Sequence, residues 1–180
     1  MFWRIYISPS LYSLDPRYNI ENIYQQNRTG NDYRWDEWFI PASQTSATRL
    51  KKITDIYQLN NKPCPAEVIQ GINLIRLPEM YYIASEAALL KGDYPTALNY
   101  FNQVLESRGL TALDDLIPAE TLTIDRIDEE RYKEFIGEGQ SFFHMKRRHL
   151  DIQDADGQLI KASPKIYNIE IPEQEFDYRK

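Results

Sequence analysis

Residues 78–109, PEMYYIASEAALLKGDYPTALNYFNQVLESRG, have the pattern of two helices joined by a tight turn. Pro78 suits a first helical turn, because the N–H that proline lacks would be unpaired there. Gly92 is placed to end the first helix in a left-handed conformation, and Asp93 can cap the second. The stretch therefore predicts a helical hairpin with a very short connection.

Apolar residues recur at helical spacing along both halves of this hairpin. Those of the first helix fall on one face: Met80, Ile83, Ala84, Ala87 and Ala88. Those of the second form another stripe, which ends before Gly109: Ala97, Leu98, Phe101, Val104 and Leu105. Such stripes are typical of buried helical faces, and their spacing resembles one tetratricopeptide unit. Since one such unit cannot bury its own apolar faces, we expect further helices to pack against it.

The hairpin is flanked by a loop-rich segment and by a third helix. Residues 1–65 are rich in Tyr, Trp, Asn and Pro and lack helical periodicity, which predicts loops with a few short helical turns. A third helix is predicted from about Ile124 to Arg148, with Thr123 as its cap and two glycines that weaken it locally. We therefore expect a loop-rich aromatic segment over 1–65 and a helical region over 66–180, together one domain or part of a larger one.

The end of the chain carries turn and strand signals. Asp156-Gly157 is a strong turn dipeptide. Tyr167, Ile169 and Ile171 alternate with polar residues, which predicts a short strand. The fold class is therefore mainly α, with little β.

The composition excludes several classes of function. The 21 Lys+Arg against 27 Asp+Glu give a net charge of -6, so a nucleic-acid backbone would be repelled and no nucleic-acid partner is expected. Cys64 is the single cysteine, and His144 and His149 are five residues apart, so we expect neither a metal site nor a cofactor. No stretch has the roughly 18 apolar residues of a membrane-spanning helix, and no export signal is expected in this chain.

Three glutamates, Glu130, Glu134 and Glu138, lie four residues apart on the predicted third helix. Carboxylates on one face could serve acid-base chemistry, but ion pairs are the favoured interpretation because cations lie nearby in sequence. Those cations are Arg131, Lys133, Lys146 and Arg147. A glycoside hydrolase would need carboxylates on opposite sides of its substrate, and the main catalytic motifs are absent, so we expect no enzyme.

Three blocks of the sequence resemble the SusD/RagB family. They are LIRLPEMYYIASEA at 74–87, followed by GDY at 92–94; ERYKEFIGEGQ at 130–140, followed by FF and KR; and IEIPEQE at 169–175. DPRY at 15–18 resembles a further element. The blocks stand in the order that the family has, and family members are much longer. The chain therefore looks like the C-terminal part of such a protein.

The resemblance implies a tetratricopeptide-like helical scaffold and a non-catalytic function. Proteins of this family capture oligosaccharides or other nutrients as outer-membrane lipoproteins, beside a TonB-dependent transporter of the SusC type. An oligosaccharide ligand and such a transporter are therefore the expected partners. Contact with the membrane is expected only through a lipid anchor, and we do not expect that anchor within this chain.

The family usually holds its ligand with aromatic rings on loops outside the scaffold, which draws attention to residues 31–38, NDYRWDEW. Such rings could stack on sugar C–H faces while polar neighbours bond hydroxyl groups. The candidate ligand-binding residues are Asn31, Tyr33, Arg34, Trp35, Trp38 and Tyr12. In an alternative interpretation the rings pack the loops onto the helices, and the chain is a protein-interaction scaffold without a glycan site.

Overall fold

The computed structural model describes residues 20–25, 31–41, 43–44, 48–52, 62–63, 75–154 and 156–168. The chain divides into two compact units, Met1–Glu138 and Gly139–Lys180. The described part of the first unit contains α1 (Ile20–Gln25), α2 (Tyr33–Trp38), β1 (Phe39–Ile40), β2 (Arg49–Leu50), α3 (Leu77–Leu90), α4 (Tyr94–Ser107), a 3-10 turn (Leu113–Asp115) and α5 (Ile124–Glu134). The second contains α6 (Ser141–Arg148), β3 (Ile152–Gln153), β4 (Leu159–Ile160) and α7 (Pro164–Tyr167). The mainly α prediction is confirmed.

Helices α3 and α4 form the predicted hairpin. Gly92 has a left-handed φ of 81°, and the Asp93 carboxylate accepts a hydrogen bond of 3.3 Å from the Thr96 N–H at the start of α4. Gly109, with φ 80°, follows the end of α4. The end of α3 and the start of α4 are therefore determined by two adjacent residues, Gly92 and Asp93, as the sequence predicts.

One core cluster of the first unit lies where α3, α4 and α5 meet. Its largest buried apolar side chains are Tyr82, Phe101, Leu105, Leu113, Ile127 and Phe135. The predicted stripe on α4 is confirmed: Ala97, Phe101, Val104 and Leu105 are buried, and Leu98 packs against the cluster. Ser85 is also fully buried, because its hydroxyl donates a hydrogen bond of 2.8 Å to the Ala97 carbonyl of α4.

The prediction for the buried face of α3 is wrong. Of the residues expected there, only Ala88 is buried, while Ala84 is half-buried and Met80, Ile83 and Ala87 are exposed. The inward face instead carries Tyr82, Ser85, Glu86 and Ala88. Periodicity shows that a helix has an apolar and a polar face, but it does not show which face is buried. In α3, polar groups that have partners lie on the buried face.

The predicted single helix from Ile124 to Arg148 is also wrong, because the structure has two helices there. Thr123 caps α5 as expected, accepting a hydrogen bond of 3.1 Å from the Arg126 N–H. The helix then ends at Glu134, and Gly137 and Gly139 adopt left-handed φ values of 74° and 75°. Two such residues within three positions interrupt the helical hydrogen bonding.

The described residues of the N-terminal part include the short helices α1 and α2 and the two-residue strands β1 and β2, which the sequence did not predict. Phe39 of β1 pairs antiparallel with Leu50 of β2. Ile20 and Tyr24 of α1 pack with this two-residue ladder and with Ile136 in a second core cluster. These contacts attach α1 and the β1–β2 ladder to Ile136, which follows α5 in the first unit.

In the second unit, β3 and β4 form a short antiparallel hairpin. The predicted turn at Asp156-Gly157 is confirmed: Gly157 has φ 81°, and one Asp154 carboxylate oxygen accepts hydrogen bonds of 2.9 and 2.8 Å from the N–H groups of Asp156 and Gln158. The strand expected to begin at Tyr167 is not seen there, because Tyr167 ends the short helix α7. Ile169 and Ile171 lie outside the described residues.

Candidate ligand site and the ion network beneath it

Helix α2 carries most of the candidate ligand-binding residues. Asp32 precedes it, and its carboxylate accepts a hydrogen bond of 3.1 Å from the Arg34 N–H, which caps the helix. The same carboxylate binds the Arg34 side chain through Nε and Nη2, both at 2.8 Å. A cap and a bidentate ion pair thus fix the start of α2 together.

Arg34 anchors α2 on α5. Its Nη2 atom lies 2.7 Å from Glu130 Oε2, and its Nη1 atom lies 3.6 Å from Glu134. All three side chains are buried. Charged groups out of water are tolerated only when they are paired and hydrogen-bonded, so these contacts must form together. A ligand arriving from solvent would not reach the Arg34 guanidinium.

Glu134 forms ion pairs with two arginines that flank the α3–α4 hairpin. Arg108, just after α4, donates to its two oxygens from Nε and Nη2 at 2.9 and 2.7 Å. Arg76, just before α3, donates to Glu134 from Nη2 and to Glu138 from Nη1. We call Asp32, Arg34, Arg76, Arg108, Glu130, Glu134 and Glu138 the ion network. It joins α2, α3 and α4 to α5 and to the turn that follows.

The surrounding cations hold Glu130 ionised. Burial alone would raise the pKa of Glu130, but Arg34, Lys133 and Arg126 outweigh it and lower that pKa to about 2. Arg126 Nη1 and Lys133 Nζ lie 2.9 and 3.0 Å from Glu130 Oε1. The ion-pair interpretation of the three glutamates is confirmed. Most of their partners, however, come from distant parts of the chain.

The two tryptophans of α2 are half-buried and face protein groups. Trp35 stacks on Phe39, with ring centroids 5.0 Å apart and an angle of 22° between the planes. The Lys52 ammonium lies 3.6 Å from the centre of the Trp38 ring and also donates to Glu138 at 2.7 Å. Such a cation over an indole face is a favourable contact, and it covers one side of the ring.

Tyr33 is the exposed ring of α2, with 54% of its surface accessible. Its N–H donates a hydrogen bond of 3.0 Å to the Arg108 carbonyl. Asn31, Asp36 and Glu37 are also exposed, and the last two lie three and four residues after Tyr33 on the same side of the helix. An aromatic ring therefore stands beside an amide and two carboxylates at the surface.

Gly109 leaves the space in which Tyr33 lies. A Cβ atom at this position would stand 2.5 Å from the Asn31 carbonyl oxygen and 2.6 Å from Tyr33 Cζ. Both distances are too short for any side chain. Gly109 thus lets the residues before and within α2 approach the end of α4 closely.

We expect Gly109→Ala to lower the free energy of unfolding by at least about 1 kcal/mol more than Gly92→Ala, because it overfills a packed contact. The two glycines have nearly the same φ, 80° and 81°, but no atom lies within 4 Å of a Cβ built at Gly92. Both variants therefore have the strain of a left-handed alanine, and only one disturbs Tyr33. Urea unfolding measures the difference, and equal losses would contradict the close approach.

Five of the six candidate residues come together on or beside α2, and Tyr12 lies outside the described residues. Whether any of them binds a ligand stays a prediction. Sequence reasoning missed four residues of this region: Lys52, Arg76, Arg108 and Gly109. The available signal was an arginine at each outer end of the hairpin, Arg76 and Arg108. A cation at such a position can form an ion pair with a carboxylate on a neighbouring helix.

Within the part of the chain that the structure describes, no three His, Cys, Asp or Glu side chains are grouped so that they could hold a metal ion. In the same described residues, no helix has the length and hydropathy needed to cross a membrane.

Comparison with known families gives one assignment. The profile of the SusD family matches residues 12–180. The chain belongs to this family. The match includes α2, the hairpin and all of the ion network, so the network belongs to the SusD-like part of the sequence. Among curated proteins, none matches this chain.

Two solved structures are similar to this SusD family member. A SusD superfamily protein from Bacteroides thetaiotaomicron is 26% identical, with a TM-score of 0.59 over 89% of this chain and 38% of its own. A protein from Bacteroides vulgatus, described as a candidate sugar-binding protein, is 21% identical, with a TM-score of 0.56 over 88% of this chain and 36% of its own. The chain thus spans less than two fifths of the length of these structures.

Proposed function

We propose that this chain is part of a non-catalytic protein that binds oligosaccharides or related nutrients. The observation that carries the proposal is the exposed Tyr33 ring, which stands on a helix held by buried ion pairs in a SusD family member. A binding platform benefits from such rigidity, because little freedom is lost when the ligand arrives. The description of the Bacteroides vulgatus protein as a candidate sugar-binding protein supports the same ligand class.

Tyr33 would stack on the apolar face of a sugar ring, while nearby polar groups would bond its hydroxyls. Asn31 offers an amide, and Asp36 and Glu37 offer acceptors. Trp35 and Trp38 would support the platform from its half-buried side. Arg34 would act from beneath, by holding the backbone of α2 against α5.

The ion network favours binding without catalysis. Glu130, Glu134 and Glu138 are the carboxylates that could have served as an acid-base set, and each is engaged by one or more cations. A general acid must hold a proton near the working pH, and the low pKa of Glu130 is opposite to that need. Members of the family are binding proteins, which agrees with this arrangement.

We further propose that the whole protein acts at the outer membrane as the partner of a TonB-dependent transporter of the SusC type. Family membership supports this assignment. Fractionation of the source cells, followed by affinity purification of the native protein from the outer membrane, tests it. If the purified protein carried no such transporter with it, the proposed partnership would be contradicted.

We expect Tyr33→Ala to weaken binding of an oligosaccharide roughly tenfold, because the stacking surface is lost. Tyr33→Phe keeps the ring and should bind within a few-fold of the unchanged protein. Titration calorimetry against a panel of plant, host and microbial oligosaccharides provides the affinities. Tyr100→Ala is the matched control, since this ring packs on Tyr81 within the hairpin and not beside α2.

The possible outcomes distinguish an error in the assignment of Tyr33 from an error in the proposed function. Binding that Tyr33→Ala leaves intact would show that the ligand lies elsewhere in this chain. A panel without any binder would contradict oligosaccharide capture by these residues.

A further inference from the structure

The polar side chains beside the exposed Tyr33 ring carry an excess of negative charge. Asn31 contributes a neutral amide, while Asp36 and Glu37 contribute two carboxylates on exposed side chains. Neither carboxylate forms an ion pair or a hydrogen bond with any residue that the structure describes. The surface beside Tyr33 therefore offers two carboxylates to a ligand.

The described cations near α2 are bound to other groups. The arginines of the ion network and Lys52 form ion pairs with the glutamates of α5 and of the turn that follows it. The Lys51 ammonium donates to the backbone carbonyl oxygen of Asp36 at 2.6 Å, and not to its carboxylate. Lys51 thus offsets part of the local negative charge but leaves the Asp36 carboxylate available.

A positively charged group on a ligand suits both the ring and the carboxylates. The face of an aromatic ring attracts a cation, and carboxylates bind an ammonium through charge-assisted hydrogen bonds. Residues three and four apart on a helix have Cβ atoms about 5–6 Å apart. A sugar stacked on Tyr33 would therefore hold a ring substituent within reach of Asp36 or Glu37. A carboxylate or sulfate on the same sugar would be repelled.

We propose that the Tyr33 surface selects oligosaccharides with free amino groups over N-acetylated and acidic ones. This inference rests on the proposed function, because it needs a sugar that stacks on Tyr33. Exposed ion pairs are weak, so two of them together raise the affinity roughly tenfold. An N-acetylated oligosaccharide keeps the stacking contact and loses this gain. An oligosaccharide of uronic acids also meets repulsion, so it binds more weakly still.

Three tetrasaccharides test this ranking: those of glucosamine, N-acetylglucosamine and galacturonic acid. Titration calorimetry of the full chain at low salt and about pH 6, where the amines are protonated, measures the affinities. The glucosamine tetramer should bind about tenfold more tightly than the N-acetylated one, and the galacturonic acid tetramer should bind most weakly. At about 0.5 M salt the preference should fall to about threefold or less, because exposed charges are screened.

The double variant Asp36→Asn/Glu37→Gln should abolish the preference for the glucosamine tetramer. Asp115→Asn/Asp125→Asn is the matched control, since it removes the same net charge from exposed side chains of the 3-10 turn and α5. This control should retain the preference. An oligolysine peptide of equal charge should bind at least about tenfold more weakly than the glucosamine tetramer, because it has no sugar face to stack on Tyr33.

Several results would overturn the selection of amino sugars. They are equal or tighter binding of the N-acetylated or galacturonic acid tetramer, a preference that survives Asp36→Asn/Glu37→Gln or is lost in the control, and equal binding of oligolysine. Failure of the glucosamine tetramer to bind, when another oligosaccharide binds, would do the same. In each case the proposed function stands if Tyr33→Ala weakens binding of some oligosaccharide. If no oligosaccharide of the wider panel binds, the proposed function itself fails.

Discussion

We expect Arg34→Met to lower the free energy of unfolding by about 3–5 kcal/mol, the usual loss when one partner of a buried ion pair is removed. Methionine keeps much of the side-chain volume, so the loss reports on charge more than on packing. Asp32 and Glu130 would remain buried without the cation that joins them. Urea unfolding, followed by tryptophan fluorescence, measures the change.

Arg126→Met is the matched control for this effect. Arg126 binds the same carboxylate as Arg34, at 2.9 Å, but it is partly exposed and lies one helical turn from Glu130 on α5. Because the Arg126 side chain is partly exposed and Glu130 would keep Arg34 and Lys133 as partners, we expect a smaller loss, about 1 kcal/mol. A similar loss in both variants, or a loss below about 1 kcal/mol for Arg34→Met, would show that the ion network does not hold α2 in place.

The helical hairpin could be predicted from the sequence because its signals are local. Gly92 and Asp93 set the turn within two residues, and the stripe on α4 needs only its own periodicity. Thr123 gives the start of α5 in the same way. Gly137 and Gly139 signal the break after Glu134, but the apolar pattern continues past them, so periodicity alone predicts one helix.

The ion network could not be predicted, because its pairs join residues that are far apart in sequence. Arg34 and Glu130 are 96 positions apart, and Arg76 and Glu134 are 58 apart. Residues near Glu130 in sequence suggested local partners, and Lys133 is one. Periodicity gives the wrong buried face for α3 for a related reason. Periodicity cannot say which side of a helix meets its neighbours when the inner side carries Ser85 and Glu86.

Glu130 gives the unit Met1–Glu138 a defined sensitivity to acid. Its pKa is about 2 in the folded chain, against an ordinary value of 4.5. A carboxyl group whose pKa is lowered by folding stabilises the folded state above its ordinary pKa, because the unfolded chain binds the proton more readily. This contribution, roughly 3 kcal/mol, is complete above about pH 4.5 and is lost as the pH falls toward 2.

Urea unfolding at several pH values between 6 and 2.5 should therefore show a steeper loss of stability in the unchanged chain than in Glu130→Gln, where this proton cannot bind. Glu129→Gln is the control: Glu129 is the adjacent residue, is 65% exposed and also contacts Arg126, so its variant should follow the unchanged chain. Glu130→Gln should itself be less stable near neutral pH, because Arg34 loses a buried partner. If Glu130→Gln lost stability with acid as steeply as the unchanged chain, other carboxyl groups would be responsible, and Glu130 would not be the ionised centre of the network.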